Sequence, residues 1–156
     1  MGSNKRLMLF IGLVILSVGF RRTDPYFTEA INLITFIMLY LIGIPNCNKI
    51  KDTRSWLEEK GITYEFVHVK KEPLSKDEIS DLAHKVGVDV LVNTRGTTYR
   101  KLEIKDKNLS DEELFELVHE HQSMLKRPIL VLEESVLVGF DEEAFEQFAK
   151  QHELLD

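Results

Sequence analysis

With one cysteine, Cys47, in 156 residues, the chain cannot close an intrachain disulfide, and nothing in it demands an oxidising compartment. A reducing cytoplasm is the expected setting. Cys and His spacings of the kind that hold zinc are missing, so neither a resident metal nor a bound cofactor is expected. The five histidines, His68, His84, His119, His121 and His152, form no ligand set; His119 and His121 stand two apart on a helix and face different sides. Internal repeats and low-complexity tracts are absent. Positive charge is in deficit: 20 Lys and Arg stand against 26 Asp and Glu, a formal charge of −6 at pH 7. That balance argues against direct contact with nucleic acid or with an anionic membrane surface. What remains is ordinary globular usage, 44% hydrophobic and 29% charged, in a length that suits one domain with a real core.

The longest apolar run is confined to the first part of the chain. "LMLFIGLVILSVGF", Leu7 to Phe20, is uncharged and lies between Lys5-Arg6 and Arg21-Arg22. It is shorter than the ~20 residues of a bilayer-spanning helix. Its basic start and small residues at Ser17 and Gly19 also meet the outline of a secretory signal peptide. Residues 1–37 are therefore an apolar extension open to three readings: a stretch upstream of a start at Met38, an export signal, or an anchor. A membrane contact is expected only if that extension is real. The folded domain is expected over residues 38–156.

Within the domain, Met38 to Ile44 is a continuous apolar run, as in a strand covered on both faces and central in its sheet. From Asn48 the spacing turns helical, with Ile50, Thr53, Trp56 and Leu57 on one face and Gly61 as the stop. "TYEFVHVKK" is rich in strand formers and predicts a second strand, parallel to the first through a right-handed crossover. Ser75 with Glu78, and Ser110 with Glu113, are capping boxes that open two helices inserted between the halves of the sheet. "RPILVLE" and "VLVGF" read as an antiparallel hairpin, and a last helix starts at Asp141 with Phe145, Phe148 and Ala149 inward. The order βαβ, helical insert, ββα is that of an α/β thioredoxin-like fold with a central mixed sheet.

In such a sheet, a residue between the carboxyl end of a strand and the start of a helix meets unpaired N–H groups and the positive end of the helix dipole. Cys47 occupies that place. A thiol there favours its nucleophilic thiolate form, and Lys49, Lys51 and Arg54 add positive potential. The plainer reading of a lone cysteine is a small buried hydrophobe. Arg127-Pro128 opens the third strand, where a proline cannot donate to the ladder and is a candidate for the cis form, which would present Arg127 beside the thiol. "NTRGTTYRKLE", Asn93 to Glu103, reads as a basic loop whose backbone N–H groups near Gly96 are candidates for holding an anion. Asn93 and Arg95 in it, with Asn46 and Asn48 flanking the thiol, are candidate substrate contacts. Each of these also has a plain alternative as a solvated surface residue.

"GIPNCNKIKDTRSWLEEKGITYEF", "NTRGTTYRKL" and "MLKRPILV" followed by "VLVGF" resemble the arsenate reductase (ArsC) family in its broad sense, with the Spx-type regulators and a YffB-like branch, from Leu39 to about Gln151. "RGTTYRKL" is closest to the YffB-like branch. The resemblance implies a thioredoxin-like fold with a helical insert, a reactive cysteine at Cys47, and an arginine, Arg127, before a cis proline, Pro128. It also implies arginines where this chain has Asn93, with Arg95 two residues on, and Gly139. With those two missing, arsenate reduction is not the expected activity. Spx-type redox sensors carry Cys-x-x-Cys, and here the fourth position is Ile50. The resemblance therefore implies a single-cysteine thiol oxidoreductase with glutathione as co-substrate, or a glutaredoxin-type donor. The alternatives are an Spx-like regulator that binds RNA polymerase and a true glutaredoxin-dependent arsenate reductase.

Overall fold

The computed structural model describes residues 38–155, so the expectations for residues 1–37 lie outside the described residues. Four strands form one mixed sheet: β1 (Leu39–Gly43), β2 (Tyr64–His68), β3 (Ile129–Leu132) and β4 (Ser135–Val138), in the order β2-β1-β3-β4. β1 pairs parallel with β2, from Leu39 opposite Tyr64 to Gly43 opposite His68, and antiparallel with β3. β3 and β4 form the antiparallel hairpin. Every residue of β1 is buried, as its unbroken apolar run requires of an inner strand.

Because strand side chains alternate, the two faces of the sheet carry two different cores. Leu39, Leu41, Leu130 and Leu132 join Ile50, Trp56 and Leu57 of α1 (Asn48–Glu59) and Phe145 and Ala149 of α6 (Glu142–Gln151). There the Trp56 and Phe145 rings meet edge-on with centroids 5.4 Å apart. Tyr40, Ile42, Ile129 and Val131 point the other way, onto the insert between β2 and β3. A one-residue slip of β1 would exchange the two sets, which pins its register.

The insert holds α2 (Lys76–Val86), α3 (Val88–Leu91), α4 (Thr97–Lys101) and α5 (Asp111–Glu120), with 3₁₀ turns at Ile104–Asp106 and Gln122–Met124. Both capping boxes form: Ser75 accepts from the Glu78 N–H, Ser110 accepts from the Glu113 N–H, and each glutamate reaches back to its cap residue. Ile79, Leu82, Leu91, Val118 and Met124 bury the insert against the sheet. The Gln122 amide fastens it further, accepting from the Leu74 N–H at 2.8 Å and donating to the Leu74 carbonyl at 2.6 Å. The insert is thus richer than two helices. In particular, Thr97–Lys101 is helical where the composition reads as loop, with Gly96 at the N-cap position. No helix among the described residues is long and apolar enough to cross a membrane.

Candidate functional site

The site is built where β1 hands over to α1. Gly43 ends β1, and a Cβ there would collide with the Ile50 side chain, so the first turn of α1 can pack this close only over glycine. Pro45 and Asn46 form the turn, and Cys47 follows as the N-cap residue of α1 in an extended conformation (φ −109°, ψ 127°). Its carbonyl accepts from the Ile50 and Lys51 N–H groups at 3.0 Å. Its side chain makes no capping bond. The thiol is neither fully buried nor fully exposed, and it touches the edge of the core beneath α1. Ile50, three residues on, is fully buried in that core, so this position is occupied by packing.

Two further segments close around the thiol. The chain at 91–95 lies against 124–127 through the Val92–Leu125 bridge, the Lys126 N–H donating to the Leu91 carbonyl at 2.7 Å and the Asn93 N–H donating to the Met124 carbonyl at 2.8 Å. The Arg127–Pro128 peptide is cis, and the Gly139 N–H donates to the Pro128 carbonyl at 2.8 Å, tying the end of β4 to the start of β3. Between these segments and the start of α1 is a cleft of about 610 Å³, lined by Cys47 and Lys49, by 92–95, by Lys126 and Arg127, and by 138–141.

The cleft brings together Cys47, Asn93, Arg95 and Arg127. Asn46 and Asn48 are exposed and do not line it. Asn46 ends the turn before Cys47 and Asn48 opens α1 after it. At the expected anion cradle, the N–H groups of Arg95 and Gly96 are themselves engaged. The Gly96 N–H donates to the Asn93 carbonyl at 2.9 Å and the Arg95 N–H donates to Asn93 Oδ1 at 3.2 Å. Asn93 therefore folds its own loop, as asparagine does in an Asx turn, and leaves Arg95 to present the charge.

Sequence reasoning passed over Lys126, which lines the cleft beside Arg127. The only trace of it in the sequence is the dibasic Lys126-Arg127 pair before Pro128. With Lys49, Arg95 and Arg127 it gives the cleft four cationic side chains against one carboxylate, Asp141, in a chain of net charge −6. Asp141 is the N-cap of α6 and accepts from the Ala144 N–H at 2.9 Å. Lys49 lies over the Phe140 ring, 5.2 Å from its centroid. Among the described residues, no ion pair engages Lys49, Arg95, Lys126 or Arg127. A thiol beside cations in no ion pair is an arrangement that would suit attack on an anionic or polarised electrophile. No group of three or more His, Cys, Asp or Glu among the described residues is placed to hold a metal ion.

Known proteins share this fold. A solved YFFB protein structure superimposes with a TM-score of 0.66 at 32% identity, covering 70% of this chain and 97% of that one. An arsenate reductase (ArsC) related protein from Brucella melitensis does so with a TM-score of 0.61 at 35% identity, covering 74% of this chain and 97% of that one. In sequence, the global transcriptional regulator Spx of Bacillus subtilis is 32% identical over 113 residues, 71% of this chain and 86% of the regulator. The model of the ArsC family matches residues 42–148, a span that holds the thiol, the insert and every side chain of the cleft, and the chain belongs to the ArsC family.

Proposed function

We propose that the chain is a single-cysteine thiol oxidoreductase that works with glutathione. The Cys47 thiolate attacks a sulfur of a mixed disulfide R–S–S–G, forming Cys47–S–S–G and releasing R–S⁻ with the bonding pair. A glutathione thiolate then attacks the adduct, restores the Cys47 thiolate and leaves as oxidised glutathione. The R sulfur leaves as a thiolate, and the glutathionyl group of the substrate ends with one incoming glutathione thiol as oxidised glutathione, one thiolate entering and one leaving. An external thiol is required because the chain has no second cysteine. A glutaredoxin-type protein is the other donor that would serve. The observation that carries this reading is the positive cleft around Cys47, whose cations are in no ion pair and suit an anionic thiol partner.

Arsenate reduction is the weaker reading of the same cleft. An oxyanion held for attack needs several fixed donors, and Asn93 and Gly139 stand where the family resemblance calls for arginine forks. Each charge-assisted donor lost costs on the order of 1.5–3 kcal/mol, so two losses amount to roughly two to four powers of ten in rate if they add. A regulatory role, docking on RNA polymerase with Cys47 as a sensor, is supported by one of the relatives named above being a global transcriptional regulator.

The test is intact mass after treating the reduced protein with oxidised glutathione. One glutathione on the wild-type chain and none on Cys47→Ser is expected, with arsenate turnover at background when glutathione and glutaredoxin are supplied. No adduct would remove the reading. Arsenate turnover that disappears in Cys47→Ser would replace it with reductase activity. Polymerase that co-purifies with the chain and survives Cys47→Ser, without glutathione exchange, would favour the regulator.

A further inference from the structure

Gly139 has a φ of +95°, a conformation that side-chain-bearing residues rarely adopt. An arginine at this position would therefore be strained, and the cleft wall here is left bare. The space beside it is filled from another segment: a Cβ on Gly139 would lie 3.4 Å from Lys126 Cε and 3.8 Å from Lys126 Nζ. The Lys126 ammonium thus lies within contact distance of where a side chain of residue 139 would begin. Lys126 is exposed, lines the same cleft as Cys47 and has no ion pair among the described residues.

The kind of charge matters. A lysine is a mobile point charge on a flexible stem that meets an anionic group at variable distance, without the fixed bidentate fork that an arginine offers to a carboxylate or a phosphate. Arg127 is partly buried next to the strand start, whereas Lys126 and Arg95 are exposed and border the cleft.

We propose that Lys126 selects the substrate of this cleft, receiving a carboxylate of a glutathione-type disulfide or thiol while Cys47 attacks the sulfur. The inference rests on the thiol-exchange reading and adds to it which partners are accepted. Carboxylate-bearing disulfides are taken over neutral ones, and neutral ones over cationic ones. In each case the Cys47 thiolate displaces one thiolate from the disulfide, so the partners differ in charge and in leaving group while the bond made is the same.

The experiment measures the rate of Cys47 adduct formation with oxidised glutathione, bis(2-hydroxyethyl) disulfide and cystamine. Each rate is divided by that of 2-mercaptoethanol with the same disulfide, which removes the leaving-group chemistry. The wild type is expected to prefer oxidised glutathione over the neutral disulfide by about tenfold at low ionic strength, with the preference collapsing in ~1 M salt. Lys126→Glu should cut that preference about tenfold and turn it toward cystamine, and Lys126→Arg should keep it. A preference that Lys126→Glu leaves unchanged, or a normalised series blind to charge in the wild type, overturns the inference while leaving thiol exchange intact. Absence of an adduct with all three disulfides overturns the thiol-exchange reading and this inference with it.

Discussion

Lys85 and the cleft cations show two fates of positive charge in one small domain. Lys85, its side chain only 11% exposed, reaches Asp81 at 2.9 Å, Glu134 at 3.2 Å and the Glu133 carbonyl at 3.3 Å. It is saturated by neighbours and ties the insert to the β3–β4 turn. At the cleft, Lys49, Arg95, Lys126 and Arg127 surround Cys47 with no ion pair among the described residues. Acidic residues are abundant enough to pair them, as 26 Asp and Glu outnumber 20 Lys and Arg. Four cations converging on one cleft with none in an ion pair cost self-repulsion and leave a field that suits an anion.

Breaking the paired side of that contrast should give the largest effect. Lys85→Ala strands the Asp81 carboxylate, and a loss of about 1–3 kcal/mol is expected by urea unfolding, below the full cost of a deeply buried pair because Asp81 keeps some solvent. Alkylation of Cys47 should stay within about twofold of wild type, since Lys85 is not part of the cleft. A slowed thiol with unchanged stability would reverse the assignment. On the unpaired side, Arg127→Ala should leave stability near wild type and slow iodoacetamide alkylation of Cys47 at pH 7 by about three- to tenfold, as removing one of the cleft's cations would. An unchanged rate would mean that the Arg127 guanidinium does not act on the thiol.

The smallest effect is expected at the surface pair of Lys60 and Glu146, 2.5 Å apart between α1 and α6. Its hydrogen bond with Lys60 holds the Glu146 carboxyl below its ordinary value of 4.5, opposed next by desolvation and aided to a lesser degree by the Lys60 and Lys150 charges. A carboxylate depressed in this way stabilises the fold above its unfolded pKa, and the contribution is lost as pH falls through the folded value. Lys60→Ala should therefore differ slightly from wild type in urea midpoint at pH 7, and the two should converge below pH 4.5. A difference that grows on acidification would contradict the pairing.

Local signals made much of this molecule legible. Capping boxes at Ser75/Glu78 and Ser110/Glu113, the buried stripe of α1 and the all-apolar β1 are short-range patterns, and the structure forms each of them. Cys47 was visible as a junction residue because strand end and helix start are adjacent in the chain. Thr97–Lys101 was not legible as a helix, since five residues are too few for a hydrophobic period to register. Lys126 was missed for a different reason: its place in the cleft depends on 91–95 packing against 124–127, a contact across some thirty residues that no local pattern encodes. Asn46 and Asn48 erred in the opposite direction, as proximity in sequence to Cys47 does not bring them into the cleft.

The central claim, a thiol in an uncommitted positive field, is tested most directly by alkylating Cys47 with iodoacetate and with iodoacetamide, reagents of the same chemistry that differ by one negative charge. The ratio of the two rates, referred to the same ratio for 2-mercaptoethanol, is expected to favour iodoacetate by about three- to tenfold at ~10 mM ionic strength and to approach unity at ~1 M salt. A referred ratio of one or less at low salt would contradict the account.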